Sequence, residues 1–184
     1  MRPAGTGGAG QRNGEPAGQG GGTAPLHGPA LFWIVFSAVA LADRATKSWA
    51  RRHLPRASIA ATGWLNLQLV ENDGAAWHLF SGQRWPLLAI ALGTLILGFL
   101  QRRRLGFPSP AGQLALGLLA GGIVGNGLDR LFLGFVVDFI DLALPFYRWP
   151  AFNLADGAIC CGAILLLFLG GGRGGHGAGQ CQRR

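Results

Sequence analysis

Four apolar segments, each about the length that crosses a bilayer, recur along this chain and leave little from which to build a water-soluble shell. A helix spanning the hydrocarbon needs about 20 residues. Segments of that kind run from about Pro29 to Ala50, Trp85 to Gln101, Ala111 to Leu131 and Ala151 to Gly170. Charged residues make up only 13% of the 184, against about 25% in an ordinary soluble domain. The expected fold is an α-helical membrane protein with four transmembrane helices and a small β-element on the membrane surface in the first loop. Glycine-rich, nearly core-less ends flank it. Residues 1–28 and 171–184 are expected to be disordered tails, with residues 29–170 as the membrane domain.

The first segment needs closer reading. Its uncharged part, Gly28 to Ala42, is too short to span, so either it fails to cross or Asp43 and Lys47 lie within the membrane's reach. A cleaved signal peptide is the competing interpretation, because Ala38-Val39-Ala40 and Ala40-Leu41-Ala42 resemble small-residue cleavage sites. Against it stand a long glycine-rich start with few positive charges and the basic run Arg44, Lys47, Arg51 and Arg52 just beyond. The net charge of +8 raises nucleic-acid binding as a function. The arginines, however, sit beside apolar runs, as membrane flanks do, and no nucleic-acid motif accompanies them, so no nucleic-acid partner is expected.

Antiparallel spans put the acids on one face. Apart from Glu15, they are Asp43, Glu71, Asp73, Asp129, Asp138, Asp141 and Asp156, all at the ends of spans one and three, in the loops after them, or at the start of span four. Carboxylates at such positions are costly in lipid and mark a pathway or a reactive site. Solvation in a loop suffices for Glu71 and Asp141, but not for Asp43 and Asp156 within apolar helices. Asp43 precedes Lys47 by one turn, the favourable order for an ion pair. In the first loop, Leu65, Leu67 and Leu69 alternate with Asn66, Gln68 and Val70, which predicts a half-buried strand, and Gly74 after Asn72-Asp73 predicts a turn. Gly117, Gly121 and Gly125 repeat every fourth residue, a spacing that lets helix backbones approach closely.

No serine lies in a nucleophile elbow, no H-E-x-x-H occurs, and the four histidines are scattered. The cysteines have no metal spacing, and Cys160 and Cys161 read as small packing residues, so no metal or cofactor is expected. Carboxylates remain. Asp138 lies just outside the third span and Asp156 about a turn inside the fourth, close enough in sequence for a returning loop to bring them together. Two such acids in a site of low dielectric share one proton, so one acts as base and the other as acid. The same inventory suits aspartic-protease chemistry or the proton relay of a small transporter, and a non-catalytic scaffold is a third possibility.

Five blocks, in order, sharpen the choice: Asp43-Arg-Ala-Thr-Lys47, Asn72-Asp-Gly-Ala-Ala76, Gly125-Asn-Gly-Leu-Asp-Arg130, Val137-Asp-Phe-Ile-Asp141 and Phe152-Asn-Leu-Ala-Asp156. From about Leu31 to Leu169 the chain resembles lipoprotein signal peptidase (signal peptidase II). The resemblance implies Asp138 and Asp156 as a catalytic pair, with Asp43, Lys47, Asn72, Gly74, Asn126, Asp129, Arg130 and Asn153 supporting or lining the site. It also implies diacylglyceryl-prolipoprotein substrates, cleaved before the lipidated cysteine. The expected setting is the bacterial inner membrane, with both termini cytoplasmic and the active face extracytoplasmic; a monomer in the lipid bilayer, without a cofactor, is expected. On this basis Arg130 is expected to pair with Asp129 or Asp43, Asn153 to orient Asp156, and Asn72 and Gly74 to offer polar contacts to the substrate. Three positions depart from the family pattern: Trp77 replaces a common Phe, Gly127 a larger apolar residue, and Gly157 a Ser. The last two bear on helix packing near the pair.

Overall fold

The computed structural model describes residues 29–56, 59–60, 64–74 and 79–171. The two expected tails, Ala75 and Ala76 of the second block, and Trp77 lie outside the described residues, apart from Gly171 of the C-terminal tail. The elements run α1 (Ala30–His53), β1 (Ile59–Ala60), β2 (Leu65–Asn72), α2 (Arg84–Gln101), α3 (Pro110–Phe132), β3 (Val136–Leu144), β4 (Tyr147–Phe152) and α4 (Leu154–Gly171). Large apolar side chains such as Ile34, Leu41, Ile90, Leu97, Phe99 and Phe168 point outward, while the buried residues include Asp43, Lys47, Asn126 and Asp138. That inversion suits lipid as the outer solvent. By length and composition α2 and α3 can each cross a membrane.

α3 is the centre of the bundle, and glycine makes it so. A Cβ on Gly117 or Gly121 would stand 2.9 Å from the Cβ of Val35 or 2.8 Å from that of Val39, both on α1. On Gly125 it would meet the Asp43 carboxylate at 2.5 Å. The neighbouring face does the same for α4: a Cβ on Gly122 would sit 2.5 Å from the carbonyl oxygen of Ala155. α1 and α4 therefore approach the α3 backbone directly. The helix begins cleanly, with Ser109 Oγ accepting from the Gly112 N–H at 3.1 Å and Pro110 at the first position. Gln113, also buried, accepts from the Phe32 N–H in the first turn of α1 at 3.3 Å, filling a donor that lipid could not satisfy.

At its other end α3 stops within two residues. The Asp129 carbonyl accepts from the N–H groups of Leu133, at 2.7 Å, and Gly134, at 3.2 Å, and Gly134 takes a positive φ of 88°. This left-handed cap reverses the chain and delivers β3 beside the helix end. The sheet is antiparallel in the order β1-β2-β3-β4, with Val70 opposite Asp138 and Asn72 opposite Val136.

Here the structure departs from expectation. The predicted strand of the first loop is present as β2, but the sheet is completed by β3 and β4 from the third loop. Val136 to Phe139 are all buried, and a strand covered on both faces shows no alternation for a sequence pattern to reveal. The fourth helix starts at Leu154 rather than near Ala151, because Ala151 and Phe152 complete β4 and Asn153 caps the helix. Gly127 and Gly157 face open space, with nothing within 4 Å of an added Cβ, so these two departures leave the helix packing near the acids untouched.

Candidate active site

Asp138 is the third residue of β3, and Asp156 lies in the first turn of α4. Asn153 joins them. As the residue before α4, its Oδ1 accepts from the Asp156 N–H at 3.0 Å, while its own N–H donates to Asp156 Oδ2 at 3.1 Å. This reciprocal exchange is a capping box, built from Asn and Asp. Its free amide Nδ2 then donates to Asp138 Oδ1 at 2.7 Å and to Asn126 Oδ1 at 3.1 Å. The second Asp138 oxygen accepts from Asn72 Nδ2 at 2.8 Å, across the β2–β3 pair. Asn72 in turn accepts the Gly74 N–H on its Oδ1 at 3.0 Å, which forms the turn expected at Gly74.

Asn126 of α3 ties this group to a buried charge cluster. Its Nδ2 donates to Asp156 Oδ1 at 2.7 Å, and its Oδ1 accepts from Lys47 Nζ at 2.7 Å. Lys47 completes its coordination with Asp43 at 2.8 Å and Asp129 at 3.0 Å. An ammonium has three protons and three acceptors are supplied, so the charge is compensated and every donor is used. Each acid has a backbone duty as well. Asp43 Oδ1 accepts from the Ala155 N–H at 3.1 Å and Asp129 Oδ2 from the Val137 N–H at 3.2 Å. The cluster therefore pins the residues adjoining Asp156 and Asp138.

The two acids open onto one cavity of about 340 Å³, walled by Val70, Trp149, Phe152, Ile159 and Cys160 and bordered by Arg130. Burial pushes Asp138 up to about 7, and the neighbouring Asp156 adds to the rise; hydrogen bonds from Asn72 and Asn153 and the charge of Lys47 act against it. A carboxyl there holds its proton far above the usual carboxylate range. In the same strand, burial pushes Asp141 the same way but is outweighed. The Arg148 side chain, which bonds both its oxygens, holds its carboxyl below the ordinary value.

The residues expected around the site lie together at one end of the bundle. The Asp43–Lys47 pair and the contact of Asn153 with Asp156 are both present. Four details differ. Arg130 bonds the carbonyls of Gly74, at 2.8 Å, and Asn126, at 3.5 Å, rather than Asp129 or Asp43, which Lys47 occupies. Asn72 and Gly74 spend these polar groups inside the site instead of presenting them to a ligand. Asp141 is buried and paired, not solvated. Cys160 is an exposed wall residue one turn beyond Asp156, not a packing residue, and Cys161 is exposed too. The spacing from Asp156 was the available signal for Cys160. Arg44, 3.6 Å from Asp129, carried none.

The family model for signal peptidase (SPase) II matches residues 35–170. The chain belongs to the signal peptidase II family. A lipoprotein signal peptidase of Syntrophomonas wolfei is 45% identical over 140 residues, covering 75% of this chain and 91% of that one. One from Burkholderia vietnamiensis is 39% identical over 159 residues, covering 80% and 88%. Two solved structures of a bacterial membrane enzyme, determined by the in meso method, share the fold. Their TM-scores are 0.68 and 0.66 at 30% and 29% identity, covering 76% of this chain and 87% and 92% of theirs. Signal peptidase II membership and the outward-facing apolar helices make this chain a membrane-embedded protease.

Proposed function

We propose that the protein removes signal peptides from diacylglyceryl-modified prolipoproteins, cleaving before the lipidated cysteine, with Asp138 and Asp156 as an aspartic pair. The observation that carries this reading is the shared amide clamp: Asn153 and Asn126 hold both carboxyls at the mouth of one cavity. The ionised acid takes a proton from water as its oxygen attacks the scissile carbonyl, and the protonated acid gives its proton to the carbonyl oxygen. As the resulting diol collapses, one hydroxyl returns its proton to the second acid, the C–N bond breaks, and the first acid passes its proton to the departing amine. Asp43, Lys47 and Asp129 act by positioning, Asn72, Asn126 and Asn153 by orienting the pair, and Arg130 and Gly74 by fixing the loop above it. The apolar walls suit the diacylglyceryl chains, at about 0.8 kcal/mol per buried methylene.

The same reading has four spans in the bacterial inner membrane, termini cytoplasmic and the acids extracytoplasmic. A proton relay is the less favoured use of these acids. Between Gln113 and Asn126 the buried face of α3 carries only Gly, Ala, Leu and Ile, so the polar chain stops at one end of the bundle. The test is cleavage of a lipid-modified precursor by purified protein in detergent, with a chelator present throughout. Asp138→Asn and Asp156→Asn are each expected to lower the rate by about 10²–10⁴-fold while the protein still accumulates in the membrane. Normal cleavage by either variant, or loss of wild-type cleavage to the chelator, would overturn the assignment.

A further inference from the structure

At the end of the bundle away from the acids, α2 stands off from its neighbours: Leu87 is the one buried residue along its length. Between α1, α2 and α3 lies a cavity of about 390 Å³, bounded by Phe32 and Trp33, by Gly98 and Arg102, and by Leu116 and Leu119. Its walls are apolar. Thr94, which also borders it, spends its hydroxyl on the Ile90 carbonyl at 2.8 Å. Arg102 is the exception. Its guanidinium lies 4.2 Å from the Phe99 ring centroid and donates to the Phe99 carbonyl at 2.8 Å. It makes no ion pair among the described residues. Arg103 and Arg104 follow on the exposed surface, and every acid among the described residues lies in or beside the other end.

We propose that this cavity binds an anionic membrane phospholipid, one acyl chain between the three helices and the phosphate at Arg102. Any lipid chain gains from filling an apolar recess, so the chain alone does not select. The headgroup does. A guanidinium fork matches phosphate oxygens in geometry and charge, and basic recesses between membrane helices take acidic headgroups. The signal segment of a precursor is the rival occupant, being equally apolar. It begins with positive charge, however, and would bring that charge against three consecutive arginines.

The purified full-length protein in mild detergent, titrated with phosphatidylglycerol or phosphatidylcholine of identical chains and read by native mass spectrometry, tests this. Phosphatidylglycerol is expected to be retained at about tenfold lower concentration, because phosphatidylcholine offers the same phosphate but brings its choline cation against Arg102, Arg103 and Arg104. Arg102→Gln should bring the two lipids together. Gly98→Leu grows into open space on the cavity wall and should reduce both adducts. Equal retention by the native protein, or a preference unchanged in both variants, would overturn the proposal. So would equimolar displacement of phosphatidylglycerol by a synthetic signal segment, since the cavity would then belong to the substrate.

Discussion

Lys47 shows how little freedom a single residue retains in this site. Its three protons go to Asp43, Asn126 and Asp129, and its side chain is 1% exposed. Lys47→Met would leave two buried carboxylates facing each other without a cation, at a cost of about 3–5 kcal/mol. Thermal unfolding in detergent should show the loss, and an unshifted midpoint would mean the cluster is already protonated or solvated. Half of this was legible: Asp43 and Lys47 announce themselves one turn apart. The role of Asp129 was not, because no local pattern tells which distant acid will complete a lysine. Asn72 offers a second test. It donates to Asp138 and so favours the ionised form, against the burial that holds the proton up to about pH 7. Asn72→Ala removes that support and raises the affinity for the proton further. The alkaline limb of kcat/KM, where the proton of the pair is lost, should therefore move to higher pH by about one unit. A limb that stays in place, or moves down, would show that a different group sets it.

Between elements, the contact of α1 with α3 depends on what is missing from Gly117, Gly121 and Gly125. Gly121→Ala puts a methyl 2.8 Å from the Val39 Cβ and 2.9 Å from the Phe36 carbonyl oxygen. The helices must part, and the expected loss is about 1–3 kcal/mol. Gly127→Ala, one helix face away in open space, should instead gain up to about 1 kcal/mol from helix propensity. Melting the two variants side by side separates packing from propensity; equal shifts would deny the close approach. The fourfold glycine spacing made this interface visible in the sequence. The β3–β4 hairpin escaped notice for the opposite reason. Its first strand is covered on both sides, and its second contains Pro150 and exposed aromatics, so neither shows the alternation of a half-buried strand.

For the molecule as a whole, the end that bears the acids and the opposite end, with Arg102, Arg103 and Arg104, are the two poles of the bundle, and their sidedness in the cell is open to direct test. Phe146, at the tip of the β3–β4 hairpin, is fully exposed, and Arg103 lies at the opposite pole. In a background without native cysteines, an impermeant maleimide should label Phe146→Cys in intact cells and reach Arg103→Cys only after lysis; the reverse pattern would invert the proposed topology. The class of fold and the grouping of acids at one end could be read from composition and order alone. The amide links between those acids could not, since they depend on side-chain geometry from four separate elements. Those links have a further consequence. Asn153 both starts α4 and grips Asp138, so a chain that has inserted only part of its helices carries two unrelated carboxylates. On the proposed assignment of the pair, hydrolytic competence arrives only when the start of α4 docks beside β3.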